Sequence, residues 1–348
     1  MKIFIKYTLY ISIVLAVNIK SSFSQSSEGS YLIDVTGLAK MYEDAGEYQR
    51  LIDVYTQFIN IDPNNADGYY NRGTAKSEKL KDYLGAIEDF NKAIHLNPND
   101  AEAYNSRGLA QHNLDNNNEA MKDYNKSIEL NPKYWLAYNN RGTLKAEFGD
   151  SRGALIDFNK SIENNPKYAL AYYNRGQLKY KLNDNSGAIG DWSKTIEIDP
   201  FFEYAYYDRG TVKMEISDYK GALSDFTKAI EINSTFISAY FNRGVAKLSL
   251  NDPKGSIEDF NRTLLINPKH ENAYYKRGNA KIILNDYKGA LSDYNKVIIL
   301  NPSDAGAYHN RGIAKYYLNN INEACLDWSK AGELGNQESY ENIRDYCK

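Results

Sequence analysis

Eight arginines followed by glycine recur in one phase, at Arg72, Arg107, Arg141, Arg175, Arg209, Arg243, Arg277 and Arg311, spaced once by 35 residues and then six times by 34. A guanidinium offers a planar fork of donors that fits a carboxylate or phosphate two bonds at a time. A row of them can therefore track an anionic ligand or form internal ion pairs. The sequence supplies the second partner: an aspartate follows sixteen or seventeen residues after each arginine, at Asp89, Asp123, Asp157, Asp191, Asp225, Asp259, Asp293 and Asp327. The equivalent stretch nearest the N-terminus has Leu38 and Val54 instead, so both charges are lost together. Joint exchange is expected of groups that pair across an interface. A partly buried Arg–Asp bridge is expected in each module, and an anion track is disfavoured because the aspartates neutralise it.

Other chemistry finds little support. His95, His112, His270 and His309 occupy different phases of the period, and HExxH, CxxC, P-loop and GxSxG patterns are absent. No catalytic residue, metal ligand or cofactor follows, and the chain reads as a non-enzyme. With 42 Lys and Arg against 45 Asp and Glu it lacks the basic excess that a nucleic-acid backbone requires. Cys325 and Cys347 lie ten residues before and twelve after Gly335, so a tail that folds back as a capping helix would bring them level. Either a disulfide or two small residues packed in a cap interface results.

The elements that position these residues follow from the period. A fixed repeat of this length buries its apolar face only against neighbouring copies, giving a solenoid. In residues 101–134, one helical segment runs to Leu114 and a second from after Asn116 to Leu130, stopped by Asn131-Pro132. The same stop recurs as Asp62-Pro63, Asn97-Pro98, Asn165-Pro166, Asp199-Pro200, Asn267-Pro268 and Asn301-Pro302, while Asn233-Ser234 omits the proline. An Asp or Asn at 82, 116, 150, 184, 218, 252, 286 and 320 is placed to cap the second helix, and Pro253 sits at a first helical position where proline is tolerated. Glycine inside the first helix costs roughly 0.5–1 kcal/mol, offset if the small residue twelve or thirteen positions on lets the two helices approach closely. Many of the 31 tyrosines recur at equivalent places, which marks them as shared packing.

The order Tyr104, Gly108, Ala120, Tyr124, Ser127, Pro132 resembles the tetratricopeptide repeat family, whose helix–turn–helix carries an aromatic, a small residue, Ala, an aromatic, Ala and Pro. The resemblance implies an all-α, right-handed α-solenoid of nine units, 32–65, 66–100, 101–134, 135–168, 169–202, 203–236, 237–270, 271–304 and 305–338, with a capping helix at 339–348. Arginine departs from the family, which usually has Leu there, and residues 66–100 contain one extra residue. In this family the first helices line a concave face. Two rows there mix aromatic and amide groups: a first of Tyr70, Asn105, Asn139, Tyr173, Tyr207, Phe241, Tyr275 and His309, and a second of Asn71, Ser106, Asn140, Asn174, Asp208, Asn242, Lys276 and Asn310. From these, Tyr70, Asn71, Asn140, Tyr173, Asn174, Tyr207, Phe241, Asn242, Tyr275 and His309 are the candidate ligand contacts. Rings would take the side chains of an extended peptide and amides its backbone groups. The competing reading has neighbouring units packed over the rings and the amides merely solvated. Tyr180, Met214, Leu248, Ile282 and Tyr316 add apolar surface one turn on. The first row holds no Lys, which disfavours the family's carboxylate clamp. A protein- or peptide-binding scaffold is expected, and the alternative is a structural component of an envelope or secretory-pathway assembly that uses the solenoid ends or convex face.

The N-terminus differs. Lys2 and Lys6 precede an apolar stretch from Tyr7 to Ile19, then small residues including Ser22 and Ser24. Thirteen residues are short for a span. A signal peptide over 1–24, a short linker over 25–31 and a periplasmic or secreted product without a membrane span are expected, or an N-terminal anchor if it stays uncleaved.

Overall fold

The computed structural model describes residues 35–347. The proposed signal peptide, the linker and residues 32–34 lie outside them. The described residues form two compact parts divided at Asn165 and Pro166. The first holds eight α-helices, from Val35–Asp44 to Ser151–Asn164, and a π-helical turn at Lys76–Leu80; the second holds eleven, from Ala169–Lys181 to Glu338–Tyr346. There is no strand among the described residues. Within each part, helices alternate as antiparallel pairs stacked on their neighbours, the α-solenoid arrangement that the period implied.

One pair shows why. Asp100 accepts from the backbone N–H of Glu102 and Ala103 and starts the helix Ala101–Asn113. Asp115, at φ 60°, turns the chain left-handed, and the helix Asn117–Leu130 follows. Asn131 then accepts from the N–H of Lys133, an Asx turn that releases the chain. Asn233 does the same for Thr235, so the helix Tyr219–Ile232 ends on schedule without proline. The Asn or Asp side chain is the recurring stop; proline reinforces it elsewhere, as after Asp199.

Start signals are less uniform than the sequence implied. Asp82, Asp150, Asp184, Asp218, Asp252 and Asp286 each cap the N–H of a glycine three residues on. Asn116 and Asn320 make no such bond, and Glu119 and Glu323 stand where the others have glycine. The spacing is restrictive because a Cβ on Gly153 would lie 2.1 Å from Asp150 Oδ2.

The core is a string of small clusters. Ala120 and Tyr124 of one repeat pack with Leu144 of the next, and Ala290 and Tyr294 pack with Ala314 in the same way. The glycine after each arginine lies under the ring of the second helix. A Cβ at Gly108 would come within 2.9 Å of Tyr124, and at Gly312 within 2.5 Å of Trp328. The buried ring, more than the small residue proposed from sequence, accounts for the glycine.

All eight arginines pair with their aspartates. Arg243 donates from Nε to Asp259 Oδ2 at 3.0 Å and from Nη2 to Oδ1 at 2.7 Å, and the other seven repeat this fork. Three further contacts were not read from the sequence. A lysine one turn after the arginine reaches Asp Oδ2 at 2.7–2.8 Å, at Lys76, Lys145, Lys179, Lys213, Lys247, Lys281 and Lys315. Gln111 takes that place beside Asp123. The arginine also stacks on the tyrosine three residues before it, Arg311 lying 5.2 Å from the Tyr308 centroid. Finally, Nη1 crosses to the preceding repeat, as from Arg277 to Asn261 at 2.6 Å and from Arg107 to Asn91 at 2.7 Å. Within each part, such an arginine joins two helices of its own repeat to a third helix of the one before.

The inserted residue in 66–100 is absorbed by the π turn, where Lys81 N–H bonds to Lys76 O five residues back. Arg72 and Lys76 both still reach Asp89. The widened turn preserves the triad across an extra residue.

At the C-terminus the helix Glu338–Tyr346 packs on Ile321–Glu333, and Cys347 is disulfide-bonded to Cys325 with Cα atoms 5.8 Å apart. Closing a loop of 22 residues should contribute about 3 kcal/mol. Reduction is expected to fray Glu338–Tyr346 selectively, seen as lost amide hydrogen-exchange protection there while helices Glu271–Ile283 and Tyr287–Leu300 stay protected. Uniform loss of protection would contradict a local role.

Candidate functional site

The two rows singled out in the first helices prove to be partners of one another. A residue of the first row bonds to the second-row residue of the following repeat. In the N-terminal part, Tyr70 OH lies 3.5 Å from Ser106 Oγ and Asn140 Nδ2 donates to Asn105 Oδ1 at 3.0 Å. In the C-terminal part, Tyr173 OH donates to Asp208 Oδ2 at 2.7 Å, Asn242 Nδ2 donates to Tyr207 OH at 3.2 Å, and Asn310 Nδ2 donates to Tyr275 OH at 3.0 Å. A phenol or amide is thereby held in place by the next repeat.

The rings are sandwiched rather than splayed. Tyr207 packs between Phe226 at 5.8 Å and Phe236 at 4.9 Å, and Phe241 between Phe260 at 5.8 Å and His270 at 4.9 Å. Tyr173 lies against Phe202 at 4.7 Å, Tyr70 against Phe90 at 5.9 Å, and Tyr275 against Tyr294 at 6.0 Å. Neighbouring elements thus cover part of each ring. Tyr70, Tyr173, Tyr207, Phe241 and Tyr275 nevertheless remain half-buried, as do Asn71, Asn140, Asn174 and Asn242. Burial pushes the Tyr70 phenol up to about 12 and raises Tyr173, Tyr207 and Tyr275 as well. These phenols stay protonated.

His309 stands apart from the rest of the row. It is 8% exposed, its Nδ1 is 2.8 Å from Ser339 Oγ, and its Nε2 is 3.8 Å from Glu338. The C-terminal helix covers it, and desolvation lowers its pKa. The row thus ends on a covered, neutral imidazole bonded to the last helix.

Around Tyr173 the rows acquire a charge. Asp208 occupies a place where Asn140, Asn174, Asn242 and Asn310 stand in other repeats. Its Oδ2 accepts from both Tyr173 OH and Gln177 Nε2, the latter at 2.6 Å, and Gln177 also donates to Tyr173 OH at 2.8 Å. Burial lifts the carboxyl to about 7, against the opposing pull of the Tyr173 bond. One turn along, Tyr180 OH bonds to Glu215. Gln177 was overlooked in the sequence, although its place four residues after Tyr173 puts both on one helix face.

No group of three or more His, Cys, Asp or Glu among the described residues is arranged to hold a metal, and no described helix is long and apolar enough to cross a membrane.

The tetratricopeptide repeat is matched at residues 101–134, 203–236 and 237–270, and a related TPR repeat description at 78–115 and 278–319. No curated protein matches the sequence. Among solved structures, the chain is similar to YrrB, described as a TPR protein with an unusual peptide-binding site: 25% identity, 54% of this chain and 97% of that one, TM-score 0.51. PilF of Pseudomonas aeruginosa shares 15% identity over 60% of this chain and 96% of its own, with a TM-score of 0.50. Human IFIT1, solved as a dimer with PPP-AAAA, shares 17% over 83% of this chain and 69% of its own, also at 0.50. The last two likenesses concern the fold alone.

Proposed function

Because this chain is a tetratricopeptide-repeat protein, and such proteins bind proteins or peptides as typically non-catalytic scaffolds, we propose that it holds an extended polypeptide along its first helices. The reading rests on one observation: the half-buried aromatic and amide groups of successive repeats are fixed by bonds between neighbours, as at Tyr207 and Asn242. Groups ordered before binding lose little further entropy on contact. The peptide-binding site described for YrrB supports the same use of the fold. Asp208 and Glu215 add acidic character near Tyr173, suiting a partner with basic residues there.

Export belongs to the same proposal. Its supports are the charged and apolar N-terminal pattern and the Cys325–Cys347 disulfide, a bond suited to an oxidising compartment. N-terminal sequencing of the mature protein beginning near Gln25 would agree, and a retained Met1 would remove cleavage.

A photo-crosslinking residue at Gln177 should capture a polypeptide from the exporting compartment, whereas one at Arg262, exposed on a second helix, should not. Tyr173→Ala with Tyr207→Ala should weaken that partner by about tenfold or more. Capture only from Arg262 would favour the assembly role through the outer face. Unchanged affinity in the double variant would end the proposal.

A further inference from the structure

The helix Ala305–Tyr317 has the disulfide-tethered helix Glu338–Tyr346 beside it, where earlier repeats have the first helix of the next repeat. Between them lies a cavity of about 370 Å³, at the small end of small-molecule sites. Its walls are aromatic. Tyr316 and Tyr346 approach at 4.7 Å between centroids, and Trp328 lies 6.0 Å from each. Tyr317, held by a parallel stack on Tyr287 at 4.7 Å, adds a further ring, Trp328 forms the floor at 1% exposure, and Ile313, Asn342 and the neutral His309 complete the lining. Two carboxylates, Glu338 and Glu341, stand one turn apart at the edge, and no lysine or arginine among the described residues lines the cavity.

We propose that this cup binds an alkylammonium group, either a lysine side chain of a partner polypeptide or a free quaternary ammonium compound. Ring faces carry negative potential and attract a cation stripped of part of its water, and nearby carboxylates reinforce that attraction. An anion would meet the two glutamates. A purely apolar ligand would gain nothing from them. The tether gives the cup a built-in dependence on redox state, because Tyr346 precedes Cys347 and loses its fixed position when the disulfide opens. The inference is independent of the peptide groove: Tyr173 and Tyr207 need no cation, and an inert cup would leave that reading standing.

The test follows the Trp328 indole resonance by NMR in the full oxidised chain during titration with choline, its uncharged carbon isostere and Nα-acetyl-lysine amide. At least one of the two cations should bind, and the isostere should bind roughly tenfold more weakly. Tyr346→Leu, and separately Glu338→Gln with Glu341→Gln, should each weaken the cation several-fold. The glutamines preserve side-chain size at exposed positions, so their effect stands even if Tyr346→Leu disorders the cap. Binding of choline alone identifies a small cation as the ligand, and of the lysine amide alone a partner side chain. A silent Trp328, an isostere as tight as the cations, or binding indifferent to the glutamine pair would overturn the proposal.

Discussion

Asp259→Leu should destabilise the C-terminal part by about 3–5 kcal/mol, more than Arg243→Met or Lys247→Met, because it strands two cations where either cation's loss leaves the aspartate one partner. The geometry sets this order. Asp259 is 3% exposed and accepts from Arg243 at both oxygens, while Lys247 lies 2.8 Å from Oδ2. Arg243 and Lys247 side chains are themselves only 17% and 19% exposed, so water rescues neither fully. The repeat nearest the N-terminus shows what an uncharged version looks like: Leu38, Tyr42 and Val54 stand at the three corresponding places, with Tyr42 packed against the Ala39, Leu51 and Tyr55 cluster. Arg243→Leu, Lys247→Tyr and Asp259→Val together should therefore recover most of the loss. At Asp123, where Gln111 replaces the lysine, Arg107→Leu with Asp123→Val should suffice. Denaturation with hydrogen exchange on the helix Pro253–Ile266 reads the first set. Strictly additive losses, with no recovery in the triple variant, would show that the three charges do not act as a unit.

That triad also shows where sequence reasoning succeeds and stops. The Arg–Asp bridge could be inferred because one repeat exchanges both residues at once, a comparison internal to the chain. The same comparison holds for lysine, since Tyr42 occupies its place, but a lysine one turn along a helix ordinarily belongs to the solvated face and draws no notice. Helix ends were legible because Asx turns and caps are local chemistry. Their exceptions, Asn116 and Asn320, depend on whether a third residue has a Cβ. Pairing between rows was not legible, because the bond from Tyr207 to Asn242 spans 35 residues and depends on how repeats stack. His309 reads as a groove residue because its phase is right; that the last helix docks over it depends on how the tail folds back.

Asp208→Asn should stabilise the protein at pH 8 by on the order of 2–4 kcal/mol and leave it nearly unchanged near pH 4. Burial raises the folded-state carboxyl to about 7, whereas an unfolded chain releases that proton at about 4. Between those values the folded protein binds one more proton than the unfolded one, so this residue's contribution declines as pH rises and levels off once the folded carboxyl has ionised. Burial makes ionisation costly, and it outweighs the donors: Tyr173 and Gln177 both donate to Oδ2 and so favour the carboxylate, but no cation among the described residues pairs with it. Asparagine retains an acceptor for both donors and is the residue that other repeats use, so the substitution changes charge with little change in shape. The same titration reaches the proposed ligand: near neutrality the groove beside Tyr173 gains a negative charge, and a partner presenting a basic residue there should bind more tightly at pH 8 than at pH 6. Thermal midpoints of wild type and Asp208→Asn measured from pH 4 to pH 8 should converge at the acid end and separate at the alkaline end. Parallel curves would mean that Asp208 ionises as an ordinary carboxylate and leaves the groove charged throughout.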